Sequence, residues 1–136
     1  MNYWLAIGPA KNWEVGLKKK VWGASPAHAK TWERIAPGDL LFLYAMAPVK
    51  GVFGCAKVVK TFVDEKPLWP QELEDKQVLW PFRMSLEIET VLPPEQWETK
   101  RVTLERGGIV FQRALQPVGE DKAQELLRGL KKPARS

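Results

Sequence analysis

With 136 residues, the chain is long enough for one domain with a buried core and too short to require two. Hydrophobic residues make up 45%, charged residues make up 27%, and the net charge is +5, which are ordinary values for a globular domain. No apolar run approaches the roughly 18 residues of a membrane helix, and the first residues lack the basic start and cleavage site of a signal peptide. We therefore expect a soluble, cytoplasmic protein with no membrane partner.

The first two elements are predicted to be a buried strand and a helix. Residues 3–7 (YWLAI) form a short apolar run that is ended by Gly-Pro, which is typical of a buried strand. Asn12 is expected to cap a helix over 13–20, with the lysine run 18–20 near its C-terminal end. The helix dipole favours positive charge there, so the lysines have a structural explanation as well as a functional one.

Trp22 lies where neither helical nor strand periodicity explains it. Because it stands beside Gly23, we expect it on a turn, with its ring either packed into the core or held ready for a ligand. After this turn, Ser25 is expected to cap a second helix that Pro26 opens and that continues to about residue 35.

Three strands are predicted in the middle of the chain. Residues 40–45 (LLFLYA) follow a turn and do not alternate, which favours burial on both faces. Residues 51–63 form the next strand, in which Gly54 marks a bulge or a bend. Residues 81–89 alternate as a strand with one exposed face does, whereas 64–80 are acidic, contain two prolines and two tryptophans, and are predicted to be a long loop.

The last predicted elements are a short strand at 109–111 and a helix over 120–130. The apolar side of this helix is expected to carry Ala123, Leu126, Leu127 and Leu130. We predict a single domain over 1–130 and a basic, disordered tail at 131–136. The order of elements indicates an α+β fold in which a small mixed sheet curls toward a barrel and is flanked by helices.

Metal binding and nucleophilic catalysis have few candidate residues. Cys55 is the only cysteine and lies in the apolar run VFGCAKVV, where a buried, inert thiol is expected. His28 is the only histidine, and one Cys and one His do not make a metal site. We therefore predict no metal, no cofactor and no catalytic residue.

The positive charge is distributed unevenly along the chain. Residues 1–60 carry nine Lys and Arg against three Asp and Glu, and 101–136 carry eight against four, whereas 61–100 carry four against nine. Basic ends favour an anionic partner such as a nucleic-acid backbone. A solvated basic surface explains the same charges equally well, so charge alone leaves both interpretations open.

Tryptophan is the informative excess in the composition. Seven tryptophans occur at positions 4, 13, 22, 32, 69, 80 and 97. Their spacing matches neither a helical nor a strand period, so they cannot all belong to one core face. Trp4 and Trp13 are assigned to packing. Trp22 and Trp69 are the better candidates for aromatic walls around a ligand, because a flat ring stacks on a nucleobase with about 1–3 kcal/mol.

Six segments of the sequence are informative when they are taken together: YWLAI, NWEVGLKKKVWGAS, PGDLLFLYA, GVFGCAKVV, WPFRMSLEIE and ALQPVGEDKAQELL. Together they cover nearly the whole chain and resemble the EVE domain family of the PUA-like superfamily. NWEV followed by Trp22-Gly23 is the more specific signal. The resemblance implies a PUA-like, strongly curved mixed sheet or pseudo-barrel with a pocket for a modified base, either flipped out of a strand or free.

The segment from NWEV to Trp22-Gly23 is also similar to the more distant YTH domain, which reads N6-methyladenine in RNA. When the aromatic walls of the YTH pocket are carried over to this sequence, the first corresponds to Trp22 and the second to Trp69, with Trp80 as the alternative. YTH domains place polar residues after the first strand, whereas residues 8–10 of this chain are Gly-Pro-Ala. That loop offers backbone groups but no side-chain amide, so the resemblance implies modified bases more broadly, including modified cytosine in DNA.

The resemblance also implies roles around this pocket, where a flipped base must regain the stacking that it gives up in its own strand. The implied ligand-binding residues are Gly8, Pro9, Trp22, Gly23, Ala24, Ser25, His28 and Trp69. The implied contacts to the nucleic-acid backbone are Lys18, Lys19, Lys20, Arg83, Arg106 and Arg113. Helix capping by Ser25 and a solvated outer-face position for Arg83 are the alternatives for those two residues.

Three functions from different classes are compatible with these features. We favour a non-catalytic reader of a modified nucleobase in DNA, in RNA or as a free nucleotide. A hydrolase of modified nucleosides, of the ASCH type, is less favoured because the sequence shows no polar pair beside Trp22. The third function is a protein-interaction module with exposed tryptophans, which would depend on salt less steeply than phosphate binding does.

Overall fold

The computed structural model describes residues 1–104, 109 and 111–131. Its strands are Tyr3–Gly8 (β1), Val21–Ala24 (β2), Leu40–Ala45 (β3), Gly51–Val63 (β4), Phe82–Val91 (β5) and Leu115–Val118 (β6). Its α-helices are Ala10–Lys19 (α1), Ala29–Glu33 (α2), Pro70–Asp75 (α3), Trp97–Lys100 (α4) and Glu120–Lys131 (α5), with 3-10 turns at Pro26–His28 and Pro94–Gln96. None of the helices within these ranges is both long and apolar enough to cross a membrane.

The six strands form one mixed sheet in the order β2-β5-β4-β3-β1-β6. β1 and β3 run parallel, and every other neighbouring pair is antiparallel. The pairing of β3 with β4 shifts register between Gly54 and Val52, and β4 shifts twice more against β5. Such irregularities bend a sheet. The sheet curls into a half-barrel with helices at its sides, so the predicted α+β fold with a curved mixed sheet is confirmed.

The hydrophobic core occupies both faces of the sheet. All residues of the central strand β3 are buried, as its non-alternating sequence predicts. On one face Trp4 and Leu41 pack in a cluster with Trp13 of α1, and on the other face Leu5 and Phe42 pack in a cluster with α5. The predicted apolar side of α5 is confirmed, with buried Ala123, Leu126 and Leu130 and partly buried Leu127.

Asp39 connects the start of β1 to the turn before β3. Its buried carboxylate accepts hydrogen bonds from the backbone N–H of Asn2 (3.0 Å), the indole Nε1 of Trp4 (2.9 Å) and the backbone N–H of Ala36 (3.0 Å). Burial raises the pKa of Asp39, but these hydrogen bonds and the N-terminal charge outweigh it, so the pKa lies below its usual value. The ionised carboxylate therefore fixes the parallel pair of strands at the end where both begin.

Helix α1 begins at Ala10, earlier than predicted. Pro9 occupies its N-cap position, and the Pro9 carbonyl oxygen accepts hydrogen bonds from the N–H groups of Asn12 (3.0 Å) and Trp13 (3.1 Å). Asn12 is therefore inside the first turn, and its side chain is buried. The prediction that Asn12 caps the helix was wrong, because the fixed φ angle of Pro9 already starts the helix ahead of it.

The segment around Trp22 is a strand and not the predicted turn. Val21–Ala24 pairs with β5 at the edge of the sheet. Its partner lies about sixty residues away in sequence, so local pattern gives no sign of the pairing. Ser25 then occupies the N-cap position of a 3-10 turn without a side-chain capping bond, and α2 ends at Glu33.

The last strand also differs from its prediction. β6 covers Leu115–Val118, whereas Ile109 and Phe111 lie outside the strands. β6 tolerates its proline because, in the described part of the chain, it is an edge strand that pairs with β1. Beyond Lys131, the residues of the predicted tail lie outside the described residues. The boundary of the domain therefore stays a prediction.

Replacement of Asp39 by Asn is expected to lower the free energy of unfolding by about 1–3 kcal/mol near neutral pH, because three donors lose a charged acceptor. A carboxyl group with a lowered folded-state pKa stabilises the fold fully above its unfolded pKa of about 3.9, and less as the pH falls through its folded pKa. In urea denaturation, the difference between Asp39→Asn and the parent should therefore shrink below about pH 4. Asp75→Asn, at an exposed position of α3, is the control; an equal loss in both variants would contradict the role of Asp39.

Candidate functional site

A pocket opens where β1 ends and α1 begins. Every residue predicted to bind the ligand lies on its lining: Gly8, Pro9, Trp22, Gly23, Ala24, Ser25, His28 and Trp69. Ile7, Asn12, Trp80, Ala114 and Leu115 complete the lining. The fold thus brings together residues from distant parts of the chain, and their binding role remains a prediction.

Trp22 belongs to the core and to the pocket at the same time. Its ring stacks on Trp13, with 3.5 Å between centroids and 9° between planes, and Trp13 in turn donates from Nε1 to the Tyr44 carbonyl oxygen (2.8 Å). Trp22 is consequently only 6% exposed. One face of its ring is occupied by Trp13, so Trp22 is a packed wall and not the freely presented ring that a turn position implied.

Gly8 allows the chain to pass close to this stacked ring. A Cβ atom at position 8 would lie 2.5 Å from Cζ2 and Cη2 of Trp22, which is far inside van der Waals contact. A side chain there would push Trp22 away from Trp13 or fill the pocket. The Gly-Pro pair at the end of β1 therefore contributes close backbone approach to the site.

Trp69 and Trp80 form the other walls, so both of the candidates for the second wall line the pocket. Trp69 is buried, meets Trp22 edge-on at 5.8 Å and 75°, and meets Trp80 at 5.8 Å and 86°. Its Nε1 donates to the Asn12 carbonyl oxygen (3.2 Å). Gly23 lies against both residues, because a Cβ at position 23 would lie 3.0 Å from Cη2 of the Trp69 ring and 2.8 Å and 2.9 Å from the carbonyl oxygen and Cβ of Trp80. Perpendicular contacts of this kind are favoured between aromatic rings.

A buried carboxylate holds these two walls in place. The predicted loop 64–80 contains α3, and Glu72 of this helix is completely buried. Its Oε1 accepts from the backbone N–H of Leu68 (2.8 Å) and Trp69 (3.2 Å), and its Oε2 accepts from that of Leu79 (2.9 Å) and Trp80 (3.0 Å). The acidic segment is therefore folded around one carboxylate, which no local pattern revealed.

Arg83 is the counter-ion of this carboxylate, and its predicted phosphate contact was wrong. The side chain is buried and donates from Nε to the Trp80 carbonyl oxygen (3.1 Å) and from Nη2 to the Lys66 carbonyl oxygen (2.6 Å). It also lies 3.4 Å from Glu72 and 3.3 Å from Asp64, with its guanidinium over the Trp69 ring. These partners leave Arg83 neither solvated on the outer face nor available to a phosphate.

Asn12 is the site residue that sequence reasoning missed. Its side chain is 4% exposed and lines the pocket. Its Oδ1 atom is buried and has no hydrogen-bond partner among the described residues. The chain was expected to lack a side-chain amide at this place, but α1 begins early enough to turn Asn12 inward and provide one.

Ser25 and His28 lie together at the pocket, with 3.2 Å between Ser25 Oγ and His28 Nδ1. Burial lowers the pKa of His28, and the positive charge of Arg113 lowers it further. The imidazole is therefore neutral at neutral pH. Arg113 is exposed and directly precedes Ala114 of the lining, although it is not itself part of the lining.

Lys18, Lys19 and Lys20, which were predicted to contact phosphate, are not part of the pocket lining. They are exposed at the C-terminal end of α1, whereas Pro9 and Asn12 of the lining lie at its start. Arg106 lies outside the described residues.

The chemistry of the remaining candidates is limited. Cys55 is buried as predicted, and burial, with the nearby charge of Glu89, raises the pKa of its thiol to about 11. Within residues 1–104, 109 and 111–131, no group of three or more His, Cys, Asp or Glu residues is placed to hold a metal ion. The site is thus defined by aromatic rings, one amide and one hydroxyl–imidazole pair.

The chain is an α+β half-barrel with an aromatic pocket at the end of its first strand. The family model of the EVE domain matches residues 2–128, and the chain belongs to the EVE domain family. No curated relative matches the sequence.

Solved structures share this fold at low sequence identity. Rpa0253 from Rhodopseudomonas palustris has a TM-score of 0.60 and 16% identity, covering 96% of this chain and 93% of that chain. The Mmi1 YTH domain in complex with RNA has a TM-score of 0.63 and 12% identity, covering 95% and 77%. ASCH from Zymomonas mobilis has a TM-score of 0.56 and 15% identity, covering 93% and 94%. Identities this low show the fold alone.

Replacement of Glu72 by Gln is expected to destabilise the protein by about 3–5 kcal/mol, because it leaves Arg83 buried without its counter-ion and points amide hydrogens at backbone donors. The near-ultraviolet circular dichroism of the tryptophans should weaken as well, since Trp69 and Trp80 lose their anchors. Glu74→Gln, at an exposed position of the same helix, is the matched control. If both variants unfold at the same urea concentration, the carboxylate does not hold the walls.

Proposed function

We propose that this protein is a nucleic-acid-binding module that accepts a modified nucleobase between Trp22, Trp69 and Trp80. The observation that carries the proposal is Asn12 Oδ1, a buried acceptor on the pocket lining without a partner among the described residues. Leaving such an atom unpaired costs roughly 1–3 kcal/mol. A ligand that donates an N–H group here removes that cost, and the exocyclic amines of adenine and cytosine are such donors.

Binding of a base requires the aromatic walls to separate. The volume of the pocket available to water is about 60 Å³. One water molecule needs roughly 10–15 Å³ of such volume. The pocket therefore holds a few waters and not a whole base. Trp80 is only half-buried, whereas Trp69 is enclosed and Trp22 is stacked on Trp13. We therefore infer that the Trp80 ring moves to open the pocket and then stacks on the base.

The edge strand β2 supplies further contacts to the ligand. It pairs with β5 on one side, and it has no strand on its other side within the described part of the chain. Edge strands present unpaired N–H and C=O groups. The backbone of Gly23 and Ala24 lies on the pocket lining, so these groups can read the hydrogen-bonding edge of a base.

Charge and the structural neighbours favour nucleic acid over an uncharged ligand. Arg113 is exposed and directly precedes Ala114 of the pocket lining, where it can meet a phosphate. The Mmi1 YTH domain, which shares the fold, was solved in complex with RNA. These features support a polymer or nucleotide partner, with DNA and RNA as the alternatives.

Asn12→Ala is expected to weaken the binding of an oligonucleotide with a modified adenine or cytosine by about tenfold or more, because one buried hydrogen bond is lost. The free energy of unfolding should change by less than about 1 kcal/mol, because the unpaired acceptor is removed as well. Tryptophan fluorescence titration with modified and unmodified single strands of DNA and RNA, at two salt concentrations, measures this. Glu14→Ala, exposed on the same helix, is the matched control.

Equal binding of modified and unmodified strands, unaffected by Asn12→Ala, would contradict the proposed pocket. A response that does not weaken with salt would argue against phosphate contacts and for a protein-interaction module. Trp22→Ala is not a clean test of binding, because removal of a packed core ring costs about 3–5 kcal/mol of stability. Trp80→Ala removes the most exposed wall with less damage to the core.

A hydrolase of modified nucleosides is the second candidate function. The structure brings Ser25 and His28 into a hydroxyl–imidazole pair at the pocket, which the sequence did not reveal, and a neutral imidazole can accept a proton. Incubation with modified nucleosides followed by chromatography tests this function. Product formed by the parent and lost in His28→Gln would establish an enzyme, whereas binding without product would support the reader.

A further inference from the structure

An exposed aromatic side chain lies beside the pocket but outside its lining. Phe111 is 47% exposed, and its ring packs on Tyr44 with 5.6 Å between centroids at 52°. Tyr44 is buried and pairs with Ile7, which is part of the lining. Ala114, three residues after Phe111, is also part of the lining. Because three residues span at most about 11 Å, the Cα atom of Phe111 lies within about 11 Å of that of Ala114 on the lining.

Two arginines accompany this aromatic pair. Arg113 is exposed, lies two residues from Phe111 and directly precedes Ala114 of the pocket lining. Arg101 belongs to the same region, because its stem packs on Gly51, which pairs with Ala45, the neighbour of Tyr44. Arg101 is partly exposed, and its Nη1 donates to the Glu98 carbonyl oxygen. A partly exposed guanidinium can offer further N–H groups to an anionic acceptor.

We propose that Phe111, supported by Tyr44, is a stacking platform for the nucleotide that flanks the base in the pocket, with Arg113 and Arg101 contacting the adjoining phosphates. This inference rests on the proposed function and narrows its ligand to a single strand and not a free nucleotide. An exposed ring next to cations is the combination with which proteins bind single-stranded nucleic acid, because every base offers a face for stacking. The basic surplus of residues 101–136 matches such a partner better than it matches an apolar protein surface.

The test compares two probes that carry the same base. One is 5-methyldeoxycytidine monophosphate, and the other is a single strand of about five nucleotides with 5-methylcytosine at its centre; N6-methyladenine forms a parallel pair. Phe111→Ala should weaken binding of the strand by about tenfold, as expected for the loss of one stacked base, and leave binding of the monophosphate unchanged. Phe111→Tyr should retain strand binding, and Arg113→Gln should reduce the slope of log affinity against log salt by about one.

Val59→Ala is the matched control, because Val59 is 48% exposed on β4, away from the pocket. Equal affinity of Phe111→Ala and the parent for the strand would overturn the platform while leaving the pocket proposal intact. An equal loss for strand and monophosphate would also overturn it, by placing Phe111 in the base site itself. Absence of binding of either probe pair to the parent would overturn the proposed function, and the platform with it.

Discussion

The site depends on the ion pair between Glu72 and Arg83. The carboxylate accepts four backbone hydrogen bonds from both flanks of α3, and the guanidinium reaches two carbonyl oxygens and a second carboxylate. Because the bonded backbone groups include those of Trp69 and Trp80, one buried pair positions both walls. Burying two charges is costly, and it is tolerated here because nearly every polar atom of the pair has a partner.

The aromatic rings form a continuous path from the core to the pocket. Phe53 packs edge-on against Trp13, Trp13 stacks on Trp22, and Trp22 contacts Trp69, which contacts Trp80. Interiors packed at this density transmit displacements. The buried end of the path therefore contributes to the stability of the domain, while the other end, at Trp80, is half-buried and borders the pocket.

Family and site make separate contributions to the functional argument. Membership of the EVE domain family and likeness to YTH and ASCH structures establish the fold, but one fold hosts many functions. The case for base recognition comes from this chain's own residues: an unpaired amide oxygen on Asn12, an edge strand at the pocket, and a neutral His28 beside Ser25. An acceptor between aromatic walls favours a flat ligand with N–H donors.

Local patterns were sufficient for the elements whose burial follows from their own residues. The apolar runs at 40–45 and 51–63 and the apolar side of α5 were predicted correctly, and the lining residues around Trp22 followed from family motifs. Tertiary contacts alone made β2 a strand, turned Asn12 into the pocket and buried Arg83 against α3. The reason is physical: a strand pairing or buried charge draws its free energy from partners distant in sequence, so the neighbours of a residue cannot show whether it will be solvated or enclosed.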